Sequence, residues 1–230
     1  MPNFNVPDPV FEAAARQFPT PFYLYDEAGI RETARLLGQA FAWAPDFREY
    51  FAVKALPNPE ILKVLLSEGC GLDCSSETEL LMAQHLGVRG EDIMFSANAM
   101  PPHEFALARR LGAYINLDDP SDIMTLHNHG GIPETLSLRV NPGPEVMGDN
   151  QFMGNPRESK FGWMPQDLSR GLDKLKSLGT RRFGLHAMLA SNSLIPGYYP
   201  AQADYLFRLG LSLQAQTGVE LAFINLSGGI

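Results

Sequence analysis

Short apolar runs alternate along the chain with longer amphipathic segments. The short runs predict buried β-strands, and the amphipathic segments predict helices that pack on them. This alternation is typical of parallel strands joined by helical crossovers. The predicted strands are 49–54, 71–75, 93–97, 113–117, 136–141, 183–189 and 222–227, and the predicted helices are 27–43, 59–68, 76–86, 102–111, 120–129, 165–178 and 200–217.

Proline and glycine mark the ends of several predicted helices. Proline, whose fixed φ suits the first helical turn, stands at the start of three of them, and glycine follows the last turn of five. The prolines are Pro59, Pro102 and Pro120, and the glycines are Gly69, Gly87, Gly112, Gly179 and Gly218.

Seven strands of this kind predict an α/β fold, a (β/α)₈ TIM barrel that is incomplete. Without an eighth strand such a barrel would have two open edges. Either residues 22–25 supply that strand, or the chain is a fragment that ends before it. The longest irregular stretch, 143–159, predicts a lid or mobile segment.

The composition excludes several classes of function. A net charge of −8 and a pI near 5.1 argue against a surface that binds nucleic acid or anionic lipid. The sequence has no apolar run long enough to span a membrane and no export signal at its start. Cys70 and Cys74 have no further ligands that would complete a metal site, so a reducing cytoplasm fits best.

Lys54 is the first candidate for chemistry, because it ends the apolar run Tyr50–Val53 where a strand gives way to a helix. Burial there would favour a neutral amine that can form an imine with an aldehyde. The alternative is a lysine whose ammonium group simply reaches solvent.

Other reactive side chains stand at the predicted carboxyl ends of the strands, where the active sites of barrels lie. They are Asp73, Ser75, Ser76, Ser96, Asn98, Asp118, Arg139, Asn141, His186, Ser191, Asn225, Ser227, Gly228 and Gly229. Structural roles stay open for three of these features. His186 could be a core histidine, Arg139 could pair with Asp73 or a neighbouring strand-end carboxylate, and the Gly228–Gly229 pair could form only a tight turn.

Five motifs in order resemble the N-terminal, alanine-racemase-like barrel of the fold-type III pyridoxal-phosphate (PLP) decarboxylases, the group of diaminopimelate, ornithine and arginine decarboxylases. They are Thr-Pro-Phe-Tyr-Leu-Tyr-Asp at 20–26, Phe-Ala-Val-Lys-Ala at 51–55, Gly-Leu-Asp-Cys-Ser-Ser-Glu-Thr-Glu-Leu at 71–80, Leu-Arg-Val-Asn-Pro at 138–142 and Ser-Lys-Phe-Gly at 159–162. The resemblance covers nearly the whole chain. It implies a lead segment with an opening strand at 1–26 and a PLP-binding barrel at 27–230.

The resemblance implies a role for each matched residue. Lys54 would hold PLP covalently, and Asp73 would lie near Lys54 and help to set its protonation. The predicted catalytic residues are Lys54, Asp73 and His186. Arg139 would lie beside the cofactor. The phosphate would be held by Ser191 and by a glycine-rich turn made of Asn225, Ser227, Gly228 and Gly229.

The chain also departs from the family pattern. Met188 stands where the family has a histidine stacked on the cofactor ring, Ala190 replaces a glycine, and Ser227 replaces the first glycine of the phosphate turn. A thioether can lie against a ring but cannot titrate as an imidazole does. The family's eighth strand and its C-terminal β-domain, which carries a proton-donating cysteine, have no counterpart in the 230 residues.

The resemblance predicts decarboxylation of a basic or dibasic amino acid in the intact protein, first of all meso-diaminopimelate to L-lysine, by a cytoplasmic homodimer. Alone, the chain is expected to bind PLP weakly at best. Two alternatives stay open, a non-catalytic PLP-binding protein and a decarboxylase homologue that has lost catalysis. An amino-acid racemase shares the fold and the lysine but lacks this run of motifs.

Overall fold

The computed structural model describes residues 6–142, 160–191 and 194–228. The chain divides into two compact units, Met1–Asp73 and Cys74–Ile230. Within each unit, helices alternate with strands that pair in parallel, which confirms the predicted α/β class. None of the helices in these described ranges is long and apolar enough to cross a membrane.

The first unit contains two parallel strands and three helices. In chain order they are α1 Asp8–Gln17, α2 Glu27–Ala40, β1 Tyr50–Ala52, a 3₁₀ turn at Val53–Ala55, α3 Pro59–Ser67 and β2 Gly71–Cys74, which runs one residue past the boundary. Asp26 begins α2 and Asn58 begins α3, because each side chain accepts a hydrogen bond from a backbone N–H of the first turn. Ile61 and Leu65 of α3 pack against Ile30 and Ala34 of α2.

The lead segment differs from the prediction in two ways. Residues 8–17 form a helix that was not predicted. Proline in this segment suggested irregular structure, but Pro9 lies in the first helical turn, where proline is tolerated. Residues 22–25, one of the two alternatives for the missing eighth strand, form no strand within the described part of the chain. The ring of Phe22 instead lies 6.4 Å from the rings of Phe11 and Phe18.

The second unit contains five parallel strands, each paired with the next in chain order. Its elements are α4 Glu77–His85, a 3₁₀ turn at Gly90–Asp92, β3 Ile93–Ser96, α5 Pro102–Leu111, β4 Tyr114–Leu117, α6 Asp122–His129, β5 Thr135–Arg139, α7 Pro165–Ser177, β6 Arg182–His186, α8 Tyr198–Thr217 and β7 Glu220–Asn225. The core is formed by apolar strand residues such as Phe95, Ile115, Leu138 and Phe183, all fully buried.

Several predicted strands extend too far at their carboxyl ends. β6 ends at His186 rather than at residue 189, and β7 ends at Asn225 rather than at 227. The last backbone hydrogen bond between these two strands joins the Ala187 N–H to the Asn225 carbonyl at 3.1 Å. Beyond that point both segments leave the sheet, although their apolar sequence resembles that of a strand. The predicted lid at 143–159 lies outside the described residues.

Candidate functional site

Lys54 lies in the 3₁₀ turn directly after β1 rather than inside the strand. Its neighbour Val53 is fully buried, whereas Lys54 is exposed, so the expectation of a buried amine is wrong. An exposed primary amine is accessible to a carbonyl compound in solution, which is one of the requirements for covalent attachment of an aldehyde.

Asp73 is the second predicted catalytic residue of the first unit. The parallel register places Asp73 on β2 opposite Ala52 on β1, two residues before Lys54. Asp73 is half-buried at the carboxyl end of its strand. The register therefore brings the predicted carboxylate and the predicted lysine to the same end of this strand pair.

Arg139 ends β5 and forms a nearly buried ion pair. Its Nη1 lies 2.7 Å from Oδ1 of Asp118, with 12% of the arginine side chain and 6% of the aspartate side chain exposed. The other carboxylate oxygen accepts a hydrogen bond from the Gly162 N–H at 3.3 Å, and the guanidinium lies 4.9 Å from the ring centre of Phe161. Arg139 thus pairs with a neighbouring strand-end carboxylate, one of the alternatives that the sequence left open.

The Ser-Lys-Phe-Gly motif owes its glycine to a close backbone contact. Gly162 has φ +83°, and a Cβ at this position would lie 2.9 Å from the backbone N of Asn141. Trp163 then forms backbone hydrogen bonds with Arg139 and Asn141, at 2.8 and 2.9 Å. The motif therefore supports the end of β5, on which Arg139 stands.

His186 is the last residue of β6, and only 4% of it is exposed. The register sets it beside Arg139 on β5 and Asn225 on β7. Its Nδ1 lies 3.0 Å from Nδ2 of Asn116, whose Oδ1 accepts a hydrogen bond from the Ser137 hydroxyl at 2.9 Å. The predicted catalytic histidine is thus held by a polar chain that reaches it from β4 and β5.

Two backbone segments follow His186 and Asn225, and we name them the β6 segment (residues 187–191) and the β7 turn (residues 225–228). In the β6 segment Met188 is half-buried, Ala190 is buried and Ser191 is exposed. In the β7 turn the Asn225 side chain accepts a hydrogen bond from the Ser227 N–H at 2.9 Å. Gly229, the last predicted phosphate ligand, lies outside the described residues.

The β7 turn fits an anion. Ser227 and Gly228 have φ of +49° and +89°, so two successive residues adopt the left-handed region. Successive turn residues of this kind can present backbone N–H groups to an anion, and because the Ser227 N–H here donates to Asn225, the Gly228 end of the β7 turn is the part that faces a phosphate candidate. A Cβ at position 228 would lie 2.6 Å from the Ala190 carbonyl oxygen, so only glycine allows the β7 turn to lie this close to the β6 segment.

Sequence reasoning overlooked two residues of this site. Asn116 is almost fully buried inside an otherwise apolar strand, and that isolated polar position was the available signal. Gln202 is fully buried on α8, one turn after Tyr198 and one turn before Leu206. An amide within an apolar helical stripe was again the available signal.

Residues 27–230 match the sequence model described as "Pyridoxal-dependent decarboxylase, pyridoxal binding domain". The chain belongs to this family. The match confirms the resemblance inferred from the motifs, and it confirms PLP as the cofactor of this domain type.

Individual members of the pyridoxal-dependent decarboxylase family show how far the likeness extends. Protein TabA of Pseudomonas amygdali pv. tabaci is 39% identical over 222 residues, which are 96% of this chain and 52% of that protein. A diaminopimelate decarboxylase of Methanothermobacter thermautotrophicus is 30% identical over 94% of this chain and 51% of its own length. The chain therefore spans about half the length of these curated relatives.

A solved structure supports the fold of this decarboxylase domain. Diaminopimelate decarboxylase from Helicobacter pylori, crystallised with L-lysine, is similar with a TM-score of 0.81 and 25% identity, over 96% of this chain and 57% of that one. Together with the parallel strand pairs within each unit, this likeness confirms the predicted fold class, an incomplete TIM barrel of the decarboxylase type.

Proposed function

We propose that this chain is the cofactor-binding part of a PLP-dependent decarboxylase that acts on a basic or dibasic amino acid, with meso-diaminopimelate to L-lysine as the first reaction to test. The observation that carries the proposal is the β7 turn, whose left-handed Ser227–Gly228 pair suits a phosphate. Family membership and a diaminopimelate decarboxylase relative at 30% identity support it. Ornithine, lysine, arginine and carboxylated polyamines are the competing substrates.

Lys54 is the proposed point of covalent attachment, because its exposed amine would be accessible to the aldehyde group of the cofactor, whose oxygen would leave as water. Asp73, at the same end of the β1–β2 pair, is the carboxylate proposed to keep a proton available to that amine. When bound, PLP supplies an electron sink for the carbanion that remains at Cα after carbon dioxide leaves.

The residues of the second unit are proposed to bind either the phosphate or the ring of the cofactor. The Gly228 end of the β7 turn and Ser191 are the groups proposed to bind phosphate, through a backbone N–H and a hydroxyl. His186 and Met188 contact the ring, and the half-buried thioether of Met188 contributes dispersion rather than charge. Arg139 is proposed to lie beside the cofactor, and its ion pair with Asp118 holds the guanidinium in one orientation.

Covalent trapping tests the cofactor assignment directly. The 230-residue chain would be incubated with PLP, reduced with borohydride and digested, and the modified lysine identified by mass spectrometry. We expect the pyridoxyl group on Lys54 and its loss in Lys54→Arg, which keeps the charge. Lys63→Arg is the matched control, since Lys63 is also exposed on the first unit and pairs with Glu60. Equal labelling of both lysines, or none, would contradict the proposal.

The substrate is tested separately, by measuring carbon dioxide release from meso-diaminopimelate, ornithine, lysine and arginine with the native gene product. Release from meso-diaminopimelate above the others is the expected result. The half-buried Met188 favours a second candidate, a PLP-binding protein without decarboxylase activity, because a thioether replaces the family's titratable imidazole. Trapping at Lys54 without release from any substrate would support that candidate.

Two assembly expectations belong to the same proposal. We propose a homodimer, as in the family, and a cytoplasmic location, supported by two buried cysteines that form no disulfide within the described residues. Sedimentation of the native protein would test the dimer, with a monomer as the contradicting result.

A further inference from the structure

Gln202 on α8 joins two backbone segments that come from different strands. Its amide nitrogen donates hydrogen bonds to the Ala187 carbonyl at 2.5 Å and to the Leu226 carbonyl at 2.6 Å. Both partners are acceptors only, so the NH₂ group alone can serve them. The orientation of this fully buried amide is therefore determined by its contacts.

The two carbonyls lie immediately beyond the end of the β6–β7 pairing. The last backbone bond there runs from the Ala187 N–H to the Asn225 carbonyl. One residue further on, the strands no longer bond to each other, and the side chain of Gln202 bridges them instead. Gln202 thus connects the β6 segment to the β7 turn where the sheet stops doing so.

The first turn of α8 also lies against the β7 turn, because a Cβ at Gly228 would lie 3.0 Å from the hydroxyl oxygen of Tyr199. The carbonyl of Ala190 in turn contacts the backbone at Gly228, where a Cβ would lie only 2.6 Å away. The β6 segment is therefore enclosed between α8 and the β7 turn.

Gln202 is not an obvious contributor to net stability. Its Oε1 is buried and accepts no hydrogen bond from any residue in the described ranges. A buried acceptor without a partner lowers stability and offsets part of what the two donated bonds contribute. The principal effect of this side chain is therefore on geometry, the spacing between the β6 segment and the β7 turn.

We propose that Gln202 is a positioning residue for phosphate binding, which holds the β6 segment and the β7 turn at the spacing that lets both contact one phosphate group. The inference rests on the proposed function, in which Ser191 and the β7 turn bind the phosphate of PLP. Gln202 itself is buried behind these segments and acts through them. It should therefore affect recognition of the phosphate and leave covalent attachment at Lys54 unchanged.

Comparing PLP with pyridoxal, which lacks the phosphate, separates this role from a general structural one. The full chain and Gln202→Met would be titrated with both ligands. We expect the Kd for PLP to rise by about tenfold or more in Gln202→Met and the Kd for pyridoxal to change by less than about twofold. Leu213→Ala is the control, because it changes another buried side chain of α8 that does not bridge the two segments, and it should leave the ratio of the two constants unchanged.

Hydrogen–deuterium exchange of the ligand-free chain tests the bridge without any cofactor. Gln202→Met should accelerate exchange in the β6 segment and the β7 turn together, whereas Leu213→Ala should not single out these two. Unchanged exchange in both segments, or equal weakening of PLP and pyridoxal binding, would overturn the inference. If the unmodified chain binds neither ligand, the proposed function and the phosphate role fail together, and the exchange result still decides the bridge.

Discussion

Asn116 and His186 lie on strands that are not neighbours, yet their side chains meet at 3.0 Å between Nδ2 and Nδ1. Strand β5 lies between them, and its Ser137 hydroxyl donates to Oδ1 of Asn116 at 2.9 Å. With the Ser137 hydroxyl donating to Oδ1, the NH₂ group of Asn116 faces the histidine, and we expect Nδ1 of His186 to accept from it and Nε2 to carry the ring proton.

Asn116→Asp should reverse this tautomer. A carboxylate at position 116 can only accept, so it requires a proton on Nδ1 of His186. The ¹⁵N chemical shifts of labelled histidine report which ring nitrogen is protonated. We expect an unprotonated Nδ1 in the natural sequence and a protonated Nδ1 in Asn116→Asp, with the His186 signals assigned by their absence in His186→Gln.

Ser137→Ala is the control for this experiment, because it removes the hydroxyl that orients the amide and leaves the amide itself. A mixture of the two tautomers is the expected result. A natural sequence that already carries its proton on Nδ1 would show that the Asn116 amide is oriented the other way.

Asp118→Asn should strongly destabilise the protein. The change leaves the guanidinium of Arg139 nearly buried without its carboxylate, which costs roughly 3–5 kcal/mol for ion pairs of this kind. Denaturant unfolding of Asp118→Asn, Arg139→Gln and the double variant would measure the coupling. The double variant should lose less unfolding free energy than the two single variants lose in total.

An exposed pair on α8 provides the comparison for that cycle. Nε of Arg208 lies 2.9 Å from Oδ2 of Asp204, and 79% and 62% of the two side chains are exposed. Asp204→Asn should therefore lower the free energy of unfolding by less than about 1 kcal/mol. Equal costs for the two aspartate variants would show that burial does not strengthen the Arg139 pair.

Ser227→Gly should stabilise the protein. Ser227 adopts φ +49°, a region that costs a residue with a Cβ roughly 1–2 kcal/mol and costs glycine almost nothing. Glycine loses part of this gain through its more flexible unfolded state, which leaves a net stabilisation of about 0.5–1 kcal/mol. Urea unfolding would measure it. Ser227→Ala retains the Cβ and should show no gain, so equal effects of both changes would attribute the result to the hydroxyl.

Asp122→Asn should raise the free energy of unfolding more at alkaline pH than at acidic pH. Burial, reinforced by the nearby carboxylates of Asp119 and Asp118, raises the pKa of Asp122 from 3.8 to about 6. Protonated Asp122 therefore contributes stability that is present at low pH and lost as the pH rises through about 6. Asparagine has no such ionisation and still offers an oxygen to the Asp119 N–H.

The measurement for Asp122 is the free energy of unfolding of both proteins at about pH 5 and about pH 8. The difference in free energy of unfolding between Asp122→Asn and the natural sequence should be larger at the higher pH. An advantage that is the same at both values, or larger at pH 5, would contradict the assigned pKa shift.

Much of the architecture was predictable because local patterns determine it. Proline and glycine marked the ends of α3, α5 and α8 to within two residues. The apolar runs located all seven strands of the described residues. The alternative of a strand at 22–25 did not hold. The aromatic residues there have strand propensity, but they pair with no strand in the described part of the chain, and a strand needs a partner for its backbone.

The amino-acid pattern alone determined the succession of strands and helices, the position of Lys54 at a strand end and the family to which the motifs point. Only the tertiary structure decided that Lys54 is exposed, that Asp118 pairs with Arg139 and that Gln202 bridges the ends of two strands. The reason is the separation along the sequence over which each kind of interaction acts. Periodicity and helix caps act over a few residues, whereas Asn116 and His186 stand 70 residues apart and meet only because the strand register aligns them.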